Sequence, residues 1–362
     1  MEAPTMPSLL KRPALGRPPL SRPSIAGLSA VVTGGSRGLG LLLAEQLAVR
    51  HCDVTIVARD ERELARAEAL VRRPPGVRIR TAVCDVRDRE AVRRLMRDTA
   101  LACGGIDIVI ANAGIIQVAP VEAIGAEEFE GALNSIFMGA LHTSLEALPY
   151  LRRSPAGGRL ALIGSVGGLL AVPHMLPYSC AKAAVGALAE GLHAEAARDG
   201  VSVTAVHPGL MRTGSHLHAT FGGDQVGEFA WFSAIAGAPV VSMGARRAAD
   251  RIVTGVQRRR IRIVLTPAAR AASLAHGLAP ALTTRMTTLA ARGLPDAKPA
   301  SDASAAATAT GTATGASGSG GARGLREGAS VRPPAHLLTR RLRAWGSALN
   351  DRMTGTCNQR PA

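Results

Sequence analysis

The 362-residue chain is 47% apolar, enough for a sizeable core, which excludes a wholly disordered or collagen-like protein. No apolar run reaches the roughly 18 uninterrupted residues of a membrane-spanning helix. The five dispersed cysteines read as neither a disulfide framework nor a metal site, and suit a reducing cytosol. The formal net charge of +16 lies in the ends: residues 1–30 carry +3, residues 31–250 are neutral and residues 251–362 carry +13.

Residues 1–27 are Pro-rich and basic, lack the apolar core of a signal peptide, and read as a flexible arm. Strand-like and helix-like segments then alternate. Leu28–Thr33 is a short apolar strand that runs into a Gly turn, and Gly38–Arg50 reads as a helix. Asp53–Ala58 and Val77–Cys84 are strands, with a charged helix Asp60–Arg72 between them. Helix Asp88–Cys103 precedes a fourth strand, Ile106–Ala111. A long helix Glu127–Arg152 leads to strand Arg159–Ile163. Helix Tyr178–Arg198 leads to strand Val201–Val206. Helix Ser242–Arg258 and a seventh strand, Ile261–Leu265, follow. Such alternation predicts βαβ units with right-handed crossovers over residues 28–266, hence an α/β domain with a parallel, doubly wound sheet and helices on both faces. Residues 267–296 read as a helical extension. Residues 297–334 are of low complexity and read as a linker. Residues 335–362 return to helical spacing as a basic amphipathic helix and tail, with Leu337, Leu338, Leu342, Trp345 and Leu349 on one side.

The first strand ends in Thr33-Gly34-Gly35-Ser36-Arg37-Gly38-Leu39-Gly40. A Gly turn between a strand and a helix lets backbone N–H groups approach a pyrophosphate at the helix N-terminus. A Gly cluster alone also suits a plain tight turn; its place after the first strand of a βαβ series is what points to a nucleotide. About twenty residues on, the second strand ends at Ala58-Arg59-Asp60, where NAD sites usually carry a carboxylate for the ribose hydroxyls. Ala58 stands in that place, followed by Arg59, and Arg37 lies in the Gly turn. Two guanidinium groups could clamp a 2′-phosphate, which favours NADP(H) over NAD(H), while Asp60 keeps NAD(H) open.

Only three lysines (11, 182 and 298) stand beside 40 arginines, and the only tyrosines are 150 and 178. Lys182 is the one lysine of the neutral core, and Tyr178 precedes it by one helical turn on the same face. A nearby ammonium favours phenolate, so the expectation is a phenol pKa lowered toward working pH and poised for proton transfer with an alcohol. Ser165, just past the fifth strand, can reach the same place and hold the substrate oxygen.

These residues resemble the short-chain dehydrogenase/reductase family, in its compact single-domain branch, over residues 28–266. Thr33–Gly40 is similar to the family's TGxxxGxG, and Asn112-Ala113-Gly114 to its NAG after the fourth strand. Ser165, Tyr178 and Lys182 are similar to its catalytic Ser and YxxxK, and Asn134 to its fourth catalytic residue. Asp85 with Val86 is similar to its adenine contact, and Pro208-Gly209 to its PG motif. The resemblance implies a Rossmann-type fold and a hydride shuttle between a nicotinamide and an alcohol/carbonyl substrate. Tyr178 would be general acid/base, Ser165 would hold the substrate oxygen, and Lys182 would hold the nicotinamide ribose. Asn134 would hold a relay water, unless it serves a helix kink. Thr213 would reach the carboxamide, unless it caps the next helix.

Four of the seven Phe and Trp residues, Phe221, Phe229, Trp231 and Phe232, fall within residues 212–241. They suit a lid over an apolar carbonyl compound, or pack that loop onto the sheet. His174 would line the pocket or sit in a turn. Residues 258–294 start basic and turn Ala/Leu-rich, as in an interfacial helix on an anionic membrane or a helix packed on the domain or a partner subunit. The helices at 127–152 and 178–198 suit the family's usual homo-oligomer. The expected function is a cytoplasmic NADP(H)-dependent oxidoreductase without a metal. The alternative is a nucleotide-loaded binding or scaffold protein whose basic tail contacts membrane or nucleic acid. The Asn/Ser/Tyr/Lys set speaks against that alternative, and the tail lacks the aromatic platforms of a nucleic-acid reader.

Overall fold

The computed structural model describes residues 24–238, 242–295, 325–331 and 353–359. The expected arm up to residue 23 and the amphipathic stretch Leu337–Leu349 lie outside the described residues. In chain order come β1 (Ser29–Thr33), α1 (Gly38–Ala48), β2 (Asp53–Ala58), α2 (Glu61–Leu70), β3 (Ile79–Val83), α3 (Arg89–Cys103) and β4 (Ile108–Ala111). Then follow β5 (Gln117–Val118), α4 (Ala126–Ala132), α5 (Gly139–Leu151), β6 (Arg159–Ile163), α6 (Leu176–Ala196), β7 (Ser202–His207) and β8 (Leu210–Arg212). The last are β9 (Thr220–Phe221), α7 (Gln225–Gly237), β10 (Ser242–Gly244), α8 (Ala245–Gln257), β11 (Arg262–Val264), α9 (Pro267–Leu278), α10 (Pro280–Ala291) and β12 (Arg326–Glu327).

Seven strands form one parallel sheet in the order β11-β7-β6-β4-β1-β2-β3. Its five inner strands are buried on both faces, so they read as apolar runs, and adjacent side chains point to opposite layers. Val32, Ile56 and Ile110 pack with α1, α2 and α8 on one face. Val31, Val57 and Val109 pack with α3, α5 and α6 on the other. The chain leaves β1 toward β2 on one side and returns to β4 on the other. This order makes a Rossmann-type, doubly wound sheet whose switch point lies between β1 and β4. A crevice opens there at the carboxyl ends of the strands.

The long helix expected over Glu127–Arg152 is present as a continuous run of α4, a π-helical stretch Leu133–Met138 and α5. The loop expected at 212–241 holds β9 and α7. Arg326–Glu327, inside the segment read as linker, pair antiparallel with Thr220–Phe221. The helical extension is a hairpin of α9 and α10.

Candidate active site

The Gly turn is stitched to the end of β4. Thr33 Oγ1 accepts the backbone N–H groups of Asn112 (3.0 Å) and Ala113 (3.3 Å). Asn112 Nδ2 donates to the carbonyls of Thr33 and Gly34, both at 3.1 Å. A Cβ on Gly40 would lie 1.9 Å from Gly34 O and 2.6 Å from Asn112 Nδ2, so strand end and helix start approach only because that side chain is missing. No side chain caps α1 at Arg37. The Cys357 carbonyl takes the Gly38 N–H at 2.8 Å, and the rest of this positive helix end faces the crevice and suits a phosphate.

That crevice is a cleft of about 690 Å³. The cofactor-wall residues expected from sequence line it, apart from Thr33, which lies buried behind the turn. Shape, glycine spacing and the helix N-terminus all fit a nicotinamide dinucleotide across the switch point. At the end of the cleft beside β2 and β3, Asp60 is occupied as the N-cap of α2, accepting from Glu63 N at 2.8 Å. The side-chain hydrogen bonds from Arg87 hold the Asp85 carboxyl below its ordinary range. Arg59 is exposed on the rim. Arg37 pairs with Glu63 at 2.8 Å, and Ser36 Oγ donates to the same carboxylate at 2.9 Å. The expected pair of arginines is thus present, but one of them shares its charge with Glu63.

At the other end, Ser165 follows β6 and its Oγ accepts from Gly167 N at 3.0 Å, which fixes the hydroxyl beside the cleft. The Ser165 hydroxyl lies beside the Tyr178 phenol in the same cleft. Lys182 is 5% exposed and its Nζ donates to the Ile163 carbonyl at 2.6 Å. Its ammonium lies 5.8 Å from the Tyr178 ring centroid. Burial pushes the Lys182 ammonium down to about 8. The phenol of Tyr178 is pushed up by burial, with the Ser165 hydroxyl pulling it partly back. The expected lowering of that phenol by Lys182 is therefore corrected: desolvation prevails.

Asn134 does not reach the cleft. It is exposed and sits in the π-helical stretch, whose wider turn alters which side chains face inward. Ile136, buried, takes the inward position instead. A side chain on Gly114 would meet Ile136 Cγ1 at 3.5 Å and Lys182 Nζ at 3.7 Å. The relay role that the resemblance implied for Asn134 has no geometric basis here. Thr213 is buried in the cleft wall, where its Oγ1 accepts from Ser215 N at 3.3 Å.

The aromatic set packs mainly on itself. Phe221, Phe229 and Phe232 are buried, with Phe221 and Phe229 edge to face at 5.3 Å. Tyr178 and Trp231 pack against this cluster. His174 sits in the turn before α6 with φ +63°. Its Nδ1 lies 2.6 Å from Glu228 Oε1, and Trp231 Nε1 donates to Glu228 Oε2 at 2.6 Å. Glu228 is fully buried; burial pushes its carboxyl up, while Trp231 and His174 pull it back. This cluster ties α7 to the turn that presents Tyr178. Ile115, Ile116, Met211 and Ala219 make the substrate end of the cleft apolar. Sequence reading missed these residues, and also Glu63, His218 and Gln359, because none belongs to a local motif.

Fold and site together define a dinucleotide-binding α/β oxidoreductase. Residues 29–219 match the family described as short chain dehydrogenase. An uncharacterized oxidoreductase of Staphylococcus saprophyticus is 32% identical over 184 residues, which cover 51% of this chain and 78% of that protein. A putative short-chain alcohol dehydrogenase from Sinorhizobium meliloti 1021 superposes with a TM-score of 0.61 at 25% identity, covering 69% of this chain and 99% of that one. A short chain dehydrogenase from Mycobacterium paratuberculosis bound to NAD does so with a TM-score of 0.59 at 25% identity, over 67% and 97%. The chain belongs to the short-chain dehydrogenase family and is an NAD(P)-dependent oxidoreductase acting on alcohol/carbonyl substrates.

Proposed function

We propose that the protein is an NADP(H)-preferring enzyme that interconverts an apolar carbonyl compound and its alcohol, with Tyr178 as general acid/base. The observation that carries this reading is the grouping of Tyr178, Ser165 and buried Lys182 in one cleft with a glycine-lined helix N-terminus. The bound dinucleotide supplies a hydride donor or acceptor. The Gly turn and α1 hold its phosphates, Asn112-Ala113-Gly114 and Pro208-Gly209 its nicotinamide end. Ser165, fixed by Gly167 N, orients the substrate oxygen. Tyr178, kept protonated by burial, donates its proton to that oxygen in the reductive direction. Lys182 adds a buried positive charge that stabilises the resulting phenolate.

NADP(H) preference is supported by Arg59 on the rim and Arg37 at the Gly turn, with Ala58 rather than a carboxylate at the end of β2. Fluorescence titration with NADPH and NADH tests this reading. Tighter NADPH binding that Arg59→Ala reduces several-fold more than NADH binding is expected. Equal affinities, or equal losses, refute it. Tyr178→Phe should lower turnover by about 10²–10⁴-fold with dinucleotide binding intact. Normal turnover in that variant refutes the role of Tyr178.

A second observation favours peripheral membrane contact. On α9 and α10, Leu274, Leu278, Leu282, Met286 and Leu289 are 54–87% exposed. The hairpin contains Arg270 and Arg285 and no acidic residue. Such a face suits anionic lipid. Cosedimentation with phosphatidylglycerol vesicles, and not with phosphatidylcholine vesicles, is expected. Absence of binding to either, or dimerisation through this face, overturns it.

A further inference from the structure

The end of the chain returns to the Gly turn. Met353–Gln359 forms one helical turn closed by a pair of bonds, Gln359 N to Thr354 O at 2.8 Å and Asn358 N to Gly355 O at 3.4 Å. This closure places Asn358 in the left-handed region at φ +52°, where Asn is tolerated. Cys357 is fully buried in the apolar layer beneath α1 and α8. Its carbonyl accepts from Gly38 N at 2.8 Å. Asn358 Nδ2 donates to Ser36 O at 2.9 Å and to Glu63 O at 3.2 Å. On the opposite wall, His218 Nε2 lies 3.1 Å from Gln359 O. The segment thus bridges the Gly turn and the loop after β8.

Two glycines make room for Gln359. A Cβ on Gly38 would lie 2.9 Å from Gln359 Nε2, and one on Gly214 would lie 3.2 Å from Gln359 Cγ. Gln359 is only 3% exposed, yet it lines the cleft, and its Oε1 has no hydrogen-bond partner among the described residues. An unpaired buried carbonyl oxygen is costly. A half-turn of the terminal amide presents either its oxygen or its N–H₂ to the cleft. The cleft keeps its volume of about 690 Å³ with the segment docked, so the segment is a wall and not a plug.

We propose that Gln359 is a dinucleotide ligand, its carboxamide N–H₂ donating to the pyrophosphate at the N-terminus of α1. The C-terminal turn then completes the phosphate end of the cleft. This inference rests on the dinucleotide reading above. Because both dinucleotides carry the same pyrophosphate, Gln359 serves NADH and NADPH alike.

The test uses the full-length chain, with NADH and NADPH as probes. Gln359→Ala is expected to raise the Kd of both by about tenfold, a hydrogen bond to a charged group. Gln359→Glu, of the same size but negative, is expected to weaken both further. Alkylation of Cys357, followed by peptide mass spectrometry, reads docking independently of turnover. Exposed Cys180 serves as the internal reference. Saturating NADPH is expected to slow labelling of Cys357 in the wild-type protein and much less in Gln359→Ala. Unchanged affinity in both variants overturns the proposal, and so does labelling of Cys357 as fast as that of Cys180 with and without dinucleotide. Tighter binding by Gln359→Ala overturns it in favour of a segment that competes with the dinucleotide. A wild-type protein that binds neither probe overturns the dinucleotide reading itself. A wild type that binds beside an unaffected Gln359→Ala overturns only the role of Gln359.

Discussion

Lys182 is expected to cost the fold stability in exchange for its place in the site. Burial lowers its ammonium from the ordinary 10.5 to about 8. At about 1.4 kcal/mol per pH unit, that is a penalty of about 3 kcal/mol for holding the charge in the folded state. Lys182→Met keeps the length and apolar stem of the side chain and removes the charge. It also leaves the Ile163 carbonyl without its donor, which returns about 1 kcal/mol. The net expectation at pH 7 is a variant about 2 kcal/mol more stable, hence a Tm higher by roughly 4–8 °C for a domain of this size. The pH dependence has a definite sign. Below pH 8 the amine is charged in both states and the penalty is complete. Between pH 8 and 10.5 the folded chain releases the proton while the unfolded chain keeps it, so the wild type gains stability with pH. The gap between variant and wild type should therefore close across that window. Urea unfolding of both proteins at pH 7, 8, 9 and 10 measures it. A variant no more stable than wild type at pH 7, or a gap that does not change between pH 8 and 10.5, refutes the reasoning.

Three other perturbations probe the walls of the site. Gly40→Ala would place its Cβ 1.9 Å from Gly34 O, so backbone must shift; a loss of about 1–3 kcal/mol and weaker binding of both dinucleotides is expected. Full stability and affinity in calorimetry would show that the turn is slack. Glu63→Gln removes the carboxylate that shares Arg37, and should tighten NADPH a few-fold without a matching gain for NADH. Equal changes for the two in a binding titration would remove Arg37 from the clamp. Glu228→Ala leaves the His174 ring and the Trp231 indole unpaired, at about 2–4 kcal/mol, whereas Glu228→Gln keeps an acceptor and should lose less. Indistinguishable urea midpoints for these two variants would mean the cluster does not hold α7.

Sequence by itself determined the sheet and the local motifs. Strands such as Val54–Val57 and Ile108–Ala111 are buried on both faces, so continuous apolar runs announce them. Tyr178 and Lys182 lie four residues apart on α6, and helical geometry alone puts them on one face. The Gly turn was legible because its strain and close approach are local. Tertiary structure decided what depends on distant partners. The π-helical register turns Asn134 outward and Ile136 inward, which a 3.6-residue period does not foresee. Glu63 claims Arg37 from 26 residues away. Desolvation by burial, and not the i to i+4 spacing, shifts the proton affinities of Tyr178 and Lys182. Asn358 reaches Ser36 across 322 residues and brings Gln359 to the phosphate end of the cleft. Periodicity reports the conformation of a segment, while desolvation and pairing belong to whatever the fold packs against it.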